Sequence, residues 1–191
     1  MNMLNVLLIE SSPNNTLLEN SLKDYDFKLL KTQYSATSFA LVKEIAPDLI
    51  IFNLDTPSKK LLTDLQTLSQ QSPLPVIMFA SDGTIDTINQ AIKAEVSAYI
   101  VDGFEHKRLN SIIDVAIARF KHQQSLNNAL EEALAKLEDR KQIDRAKAIL
   151  IKTQNFSEDE AYHTLRKLAM DRNITLGEMA KNVIAMSELF K

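Results

Sequence analysis

Cationic side chains near the C-terminal end give this 191-residue chain its most evident binding chemistry. Arg140 and Lys147 stand seven residues apart on a predicted helix, about two turns, and Lys141, Arg145 and Lys152 fall on a neighbouring stripe. Such a stripe can contact a few phosphates of a nucleic acid. On charge alone, however, the favoured interpretation is a solvent-exposed helix face whose charged side chains form ion pairs with one another.

The overall charge is that of an ordinary soluble protein. The formal net charge is −3, with 45% apolar and 25% charged residues, and the length fits one or two domains. Residues 138–191 carry ten Lys or Arg against nine Asp or Glu, whereas the preceding residues are net negative. The positive charge is therefore concentrated in the last part of the chain.

Three helical patterns must position the C-terminal cations. Ser157 precedes Glu160 by three residues and Thr175 precedes Glu178 by three, which is the spacing of a capping box at a helix start. Apolar residues recur at helical spacing, so we predict a compact three-helix bundle. The predicted buried positions are Ile143, Ala146 and Leu150 on the first helix; Ala161, Leu165, Leu168 and Ala169 on the second; and Leu176, Met179, Ala180, Val183 and Ile184 on the third.

This block resembles the ANTAR domain, a small RNA-binding module of bacterial transcription antiterminators. The resemblance implies RNA binding, with arginine and lysine side chains engaging phosphates and the bases of hairpin loops. The RNA-binding residues expected on this basis are Arg140, Arg145, Lys147, Lys152 and Arg166. The residues that carry the resemblance are Arg140, Ile143, Ala146, Lys147, Ala161, Leu165, Arg166, Ala169, Leu176, Ala180 and Val183.

The N-terminal part has the pattern of buried parallel strands. Short apolar runs occur at Leu4–Ile9, Leu49–Phe52, Val76–Phe79 and Tyr99–Val101, with a weaker candidate at Phe27–Leu30. Helical patterns lie between them. We therefore predict an α/β, flavodoxin-like domain with its functional crevice at the carboxyl ends of the strands.

The residues that follow these strands resemble, in position, the active site of the receiver domain of response regulators. A receiver uses an acidic pair, an acceptor aspartate, a hydroxyl and a lysine to hold Mg²⁺ and a phosphoryl group. This chain has Glu10 and Ser11 at the positions of the acidic pair and Asn53 at that of the acceptor aspartate. It has Ala80 at the position of the hydroxyl and Asp102 at that of the lysine. An amide is a poor nucleophile and a carboxylate has the wrong sign to neutralise phosphate, so we predict a degenerate phosphoacceptor site.

One aspartate near this site leaves an alternative open. Asp55 lies two residues after Asn53 and could accept a phosphoryl group in a shifted geometry. An aspartate after a strand more often begins a turn or caps a helix. A regulator that responds to phosphorylation therefore stays an alternative.

A long helix is predicted between the two domains, because no Gly or Pro occurs between Gly103 and Gly177. We predict that it runs from about Glu105 to the bundle or into it. Its apolar residues follow a coiled-coil rhythm over hardly two heptads, which favours a parallel homodimer, although packing on the same chain would look alike. The stripe consists of Leu126, Leu130, Ala133 and Leu137, widened by Phe120 and Leu134.

Two segments, SAYIVDGFEHKRLNSIIDVAIARF (97–120) and IAMSELF (184–190), are specific strings, and a degenerate receiver, a helical connector and an ANTAR block follow one another along the chain. On these features the chain resembles the NasT-like family of nitrate-assimilation antiterminators. We expect a receiver-like domain over 1–120, a coiled-coil connector over 121–138 and an ANTAR domain over 139–191. The resemblance implies binding to paired leader mRNA hairpins, which prevents termination ahead of nitrate and nitrite reductase genes. It also implies control by a NasS-like nitrate/nitrite sensor protein rather than by phosphorylation.

Enzymatic functions are disfavoured by composition. The chain has no cysteine, its three histidines lack metal-ligand spacing, and its three glycines cannot form a phosphate loop. We therefore expect a non-enzymatic cytoplasmic protein without cofactor, metal or membrane segment. A receiver-like adaptor whose C-terminal helices bind protein is the main rival to RNA binding.

Overall fold

The computed structural model describes residues 3–11, 17–23, 27–35, 38–103 and 105–189, with only the backbone of Leu189. The chain divides into two compact units, Met1–Gln123 and Gln124–Lys191. The predicted domain boundaries at residues 120 and 138 both fall within one continuous helix, so neither is marked by a break in secondary structure.

The first unit contains a sheet of five strands: β1 (Leu4–Glu10), β2 (Phe27–Gln33), β3 (Leu49–Leu54), β4 (Val76–Ala80) and β5 (Ala98–Val101). Every neighbouring pair is parallel, in the order β2-β1-β3-β4-β5. The predicted flavodoxin-like fold is thus confirmed. Central strands consist of continuous apolar runs because both of their faces are covered.

Helices cover both faces of the sheet. One apolar cluster joins α2 (Ser38–Ile45), α3 (Lys59–Gln71) and α4 (Ile85–Lys93) to one face. The other joins α1 (Leu17–Lys23) and the start of α5 (Leu109–Gln154) to the opposite face. Ser58 and Thr84 cap α3 and α4 through their hydroxyl oxygens. Helix α5 is preceded by a 3₁₀ turn at His106–Arg108.

The predicted long helix is α5, which has 46 residues and continues into the second unit. Leu109, Ile113 and Ala116 on its first turns are buried in the first unit, and Ala146 on its last turns is buried in the second. The helix ends where Asn155 adopts a φ of +56°, a left-handed conformation that asparagine tolerates. Of the residues described, no helix is long and apolar enough to cross a membrane.

The second unit is completed by α6 (Glu158–Asp171) and α7 (Leu176–Leu189). Both predicted capping boxes are present: the Ser157 hydroxyl accepts from the Glu160 N–H, and the Thr175 hydroxyl accepts from the Glu178 N–H. Each glutamate carboxylate in turn accepts from the backbone N–H of its capping residue, at 2.8 Å in both cases. The buried core side chains are Ala146, Ala161, Leu165, Ala169, Met179, Ala180 and Ile184. Five other positions predicted to be buried are only partly buried and pack against this core: Ile143, Leu150, Leu168, Leu176 and Val183.

Candidate functional site

A cavity of about 590 Å³ opens at the carboxyl edge of the sheet, where the sequence predicts the functional crevice. Asn53, Ala80 and Asp102 line it, so three of the five predicted positions lie together. Ser11 is exposed, and its backbone N–H donates to the Asn53 carbonyl at 3.0 Å. Glu10 is buried instead, with 1% of its surface exposed.

Asp55, the alternative acceptor, also lines this cavity and is exposed. Its backbone carbonyl accepts from the N–H groups of Ser81 and Asp82, at 3.0 and 3.1 Å, which ties the loop after β3 to the loop after β4. Within the ranges that the structure describes, no group of three His, Cys, Asp or Glu side chains is arranged to hold a metal ion.

The buried Glu10 carboxylate is neutralised by a lysine from the edge strand β2. Lys31 Nζ lies 2.7 Å from Glu10 Oε2 and 2.9 Å from Glu19 Oε2, and Asn53 Nδ2 donates to Glu10 Oε1 at 2.9 Å. The two carboxylates raise the pKa of Lys31, while hydrogen bonds from Lys23 and Lys31 lower the pKa of Glu19. A positive charge of the protein itself therefore accompanies the one acidic remnant of the receiver pattern.

The loop after β4 is held by a small polar network. The Asp82 carboxylate accepts from Thr84 N–H at 2.9 Å and from Thr87 Oγ1 at 2.8 Å, and these hydrogen bonds lower the pKa of Asp82. The Tyr99 hydroxyl donates to the Asp82 carbonyl at 2.7 Å, and burial followed by the Asp82 charge raises the pKa of Tyr99. Ser81, on this loop, is the hydroxyl residue that follows Ala80 in the cavity wall.

Four of the five cations expected to bind RNA are exposed on the second unit. Arg140, Arg145 and Lys152 lie on α5, and Arg166 lies on α6. Arg145 Nη2 is 2.9 Å from the Glu188 carboxylate of α7. Because both side chains are exposed, Arg145 can exchange Glu188 for another anion at little cost in free energy. These four guanidinium and ammonium groups are accessible to phosphate.

Lys147 differs from the other four because only 16% of its side chain is exposed. Its Nζ lies 2.9 Å from Asp144 and 2.8 Å from Glu158 at the start of α6. The hydrogen bonds that Lys147 donates to Glu158 and Asp144 raise the pKa of Lys147, and its contact with Asp144 lowers the pKa of Asp144. This ammonium therefore joins α5 to α6 as well as belonging to the basic stripe.

Two residues that the sequence did not identify, Lys31 and Arg172, lie at important positions in the structure. Lys31 directly follows the apolar run Phe27–Leu30, and a cation at a strand end was the only available signal. Arg172 caps the end of α6 and lines a groove between the three C-terminal helices. Neither position stands out in the sequence, because Lys31 pairs with carboxylates on other elements and Arg172 lines a groove that three helices form together.

Comparison with known proteins finds one family match within each of the two compact units. The family model of the response regulator receiver domain matches residues 6–114, and that of the ANTAR domain matches residues 131–184. The transcriptional regulatory protein PdtaR of Mycobacterium tuberculosis H37Rv is 26% identical over 138 residues, covering 72% of this chain and 67% of PdtaR. The nitrate regulatory protein of Klebsiella oxytoca is 35% identical over 68 residues, but these cover only 36% of this chain and 17% of that protein.

Solved structures support the fold of the first unit. The chemotaxis response regulator CheY4 of Vibrio cholerae has a TM-score of 0.52 at 15% identity, covering 60% of this chain and 99% of CheY4. A response regulator from Thermotoga maritima has a TM-score of 0.53 at 16% identity, covering 61% of this chain and 99% of that chain. At these identities the similarity shows the fold alone. The receiver match covers more than half of the sequence, and the chain therefore belongs to the response regulators of the receiver-domain family, with an ANTAR domain at its C-terminal end.

Proposed function

We propose that the chain is a transcription antiterminator that binds hairpin loops in leader mRNA through the exposed cations of its ANTAR domain. The observation that carries this proposal is the coincidence of the ANTAR match, residues 131–184, with the exposed side chains of Arg140, Arg145, Lys152 and Arg166. Arginine planes and lysine charges engage the phosphates and splayed bases of RNA loops.

A gel-shift titration with the leader transcript of the chain's own operon tests RNA binding. We expect affinity to fall steeply as salt rises, because phosphate contacts release counterions. Lys152→Ala should weaken binding about tenfold, whereas Lys167→Ala, an exposed α6 lysine outside the proposed set, should leave it unchanged. Equal affinity of wild type and Lys152→Ala would remove Lys152 from the RNA face.

The partial match to a nitrate regulatory protein supports a role ahead of nitrate and nitrite assimilation genes. We propose that a NasS-like nitrate/nitrite sensor controls the chain by binding it. A pull-down with the sensor in the presence and absence of nitrate tests this step, and we expect nitrate to release the complex. A complex that forms equally with and without nitrate would contradict the proposed signal.

We further propose that control does not use phosphorylation. Asn53 stands where a carboxylate is needed, and Lys31 already neutralises Glu10 at 2.7 Å. Intact-mass measurement after incubation with acetyl phosphate and Mg²⁺ should detect no added phosphoryl group. A mass gain that disappears in Asp55→Asn would identify Asp55 as the acceptor and overturn this proposal.

Homodimerisation through α5 is the remaining part of the proposal. The four leucines of the predicted coiled-coil stripe are 52 to 59% exposed in the single chain, which leaves an apolar helix face uncovered. Sedimentation should show a dimer in the wild type and a monomer in a Leu130→Lys/Leu134→Lys variant. Lys136→Leu, which changes the same helix outside the stripe, serves as the control, and a monomeric wild type would contradict the proposal.

A further inference from the structure

A groove of about 790 Å³ lies between α5, α6 and α7 in the second unit. Its apolar lining includes Ile149 from α5, Leu168 from α6, and Met179, Val183 and Met186 from α7. Met186 is 55% exposed, so the apolar surface is open to solvent. Methionine side chains are flexible and adapt to irregular apolar partners, which makes such a groove suitable for a docking segment.

The rim of this groove is cationic. Arg145 and Lys152 contribute from α5 and Arg172 from the end of α6, and no Asp or Glu occurs among the groove-lining residues that the structure describes. Arg145 already binds the carboxylate of Glu188, at 2.9 Å. The cationic side chains of the rim can therefore bind carboxylates, as Arg145 does with Glu188.

We propose that this groove docks an amphipathic helix of a partner protein that carries acidic side chains beside its apolar stripe. Arg145 and Lys152 are separated by two turns of α5, about 10 Å, and acidic residues seven apart on a docked helix recur at the same distance. The apolar stripe would occupy the floor, as in other complexes in which a helix lies in a groove. Specificity would come from matching the acidic flanks to the cationic rim.

The lining favours a helix over a nucleobase. Unpaired bases are held mainly by stacking on aromatic rings or guanidinium planes. No Phe, Tyr, Trp or His occurs among the described residues that line the groove, and its two guanidinium groups, those of Arg145 and Arg172, are exposed. The apolar surface between them is built from aliphatic and thioether side chains, on which a base has no aromatic ring to stack. An aliphatic floor of this kind matches leucine-like anchors spaced by three and four residues.

Docking would also affect RNA binding, a consequence that rests on the proposed function. Arg145 and Lys152 belong both to the rim and to the expected RNA face. A helix seated in the groove would occupy these two side chains and place its own negative charge beside the RNA. The acidic helix and the RNA are therefore expected to exclude each other.

Fluorescence anisotropy with the full-length protein tests the docking site directly. The probe is a labelled synthetic helix of roughly 15–20 residues with leucines at i, i+3, i+4 and i+7 and glutamates on both flanks. We expect saturable binding that Met186→Glu weakens about tenfold or more. Met170→Glu is the matched control, since Met170 is 71% exposed on α6 and does not line the groove.

Charge is tested in the same assay. Arg172→Glu should weaken binding of the acidic probe. Lys167→Glu, on the exposed surface of α6 outside the groove, should leave binding unchanged. A probe with lysines in place of the glutamates should bind at least about tenfold more weakly. Circular dichroism of each variant verifies that the helices are retained.

The alternative outcomes are distinct. Absence of saturable binding by the acidic probe, or equal losses in Met186→Glu and Met170→Glu, would overturn the docking site. Loss of hairpin RNA binding in Met186→Glu, without any binding of the acidic probe, would assign the groove to nucleic acid instead. Binding of the acidic probe by a protein that fails to bind leader RNA would retain the docking site and reject only the proposed function.

Discussion

Lys31 is paired in register with Leu8, yet its ammonium lies 2.7 Å from the carboxylate of Glu10, two residues further along β1. Alternate residues of a strand share one face, so Glu10 and Leu8 point to the same side and the lysine stem spans the diagonal. The carboxylate is buried, whereas 24% of the lysine side chain is exposed. The pair thus joins the edge strand β2 to its neighbour β1, next to Asn53 in the wall of the cavity at the carboxyl edge of the sheet.

Removing the lysine should destabilise the first unit. Lys31→Met keeps most of the aliphatic stem but leaves the buried Glu10 carboxylate without its cation, and we expect a loss of about 2–3 kcal/mol in the free energy of unfolding. Urea unfolding followed by circular dichroism measures the loss. Glu10→Gln in the Lys31→Met background should recover most of it, and the absence of such recovery would show that the ion pair is not the cause.

The two capping boxes should make the second unit sensitive to acid. Hydrogen bonds from Ser157 lower the pKa of Glu160, and those from Thr175 lower the pKa of Glu178, in each case from an ordinary value of 4.5. A carboxylate with a lowered folded pKa stabilises the fold above its unfolded pKa. This stabilisation is lost as pH falls through the folded pKa.

A Glu160→Gln/Glu178→Gln variant tests this dependence, because glutamine can keep the capping hydrogen bond without titrating. Stability of the variant should fall less than that of wild type between about pH 5 and pH 3. Thermal unfolding across this range gives the measurement. Asp144, whose pKa is lowered by Lys147, accounts for part of the remaining slope. Parallel curves for variant and wild type would refute a contribution from the caps.

Gly177 should resist substitution because of one neighbour. A Cβ atom added there would lie 2.5 Å from Cγ of Asp139 on α5. Although alanine is the better helix former, we expect Gly177→Ala to cost a net of about 1 kcal/mol. In an Asp139→Ala background, which removes the obstructing carboxyl, Gly177→Ala should become neutral or stabilising. A cost that persists in that background would point to a different obstruction.

Lys147 should contribute to stability more than the exposed cations do. Lys147→Ala removes the ammonium that joins Asp144 to Glu158, so we expect a lower unfolding temperature for this variant than for Lys152→Ala. RNA affinity is measured on the same two proteins at a temperature where both are folded. If Lys147→Ala weakens RNA binding without any change in stability, the lysine acts on RNA alone and the ion pairs are energetically silent.

Much of the fold could be predicted from local sequence signals. Continuous apolar runs locate β1, β3 and β4, which are interior strands buried on both faces. The edge strands β2 and β5 are only partly buried, and β2 gives the weaker signal because Lys28 interrupts its apolar residues. The strands extend slightly further than the runs, since Glu10 and Asn53 are polar but still paired with each other in the ladder. Capping boxes mark the starts of α6 and α7, and Asn155 marks the end of α5.

The parts that could not be predicted depend on contacts between distant segments. Lys31 reaches Glu10 only because β2 pairs with β1 in one particular register. The reduced exposure of Lys147 follows from the position of Glu158 after the turn, and the cationic groove requires three helices at once. The spacing of Lys and Arg along a helix identifies the cations on one face. It does not show which of them form ion pairs with other helices and which are exposed to solvent.

The position of β1 between β2 and β3 has a kinetic consequence. Although β1 precedes the other strands of this sheet along the chain, its ladder cannot be completed until β3, which ends at Leu54, is also available. Parallel pairing over such sequence separations raises contact order and slows folding, whereas the consecutive helices at the other end make mostly local contacts. We therefore expect refolding in two phases, with the helical unit forming ahead of the sheet.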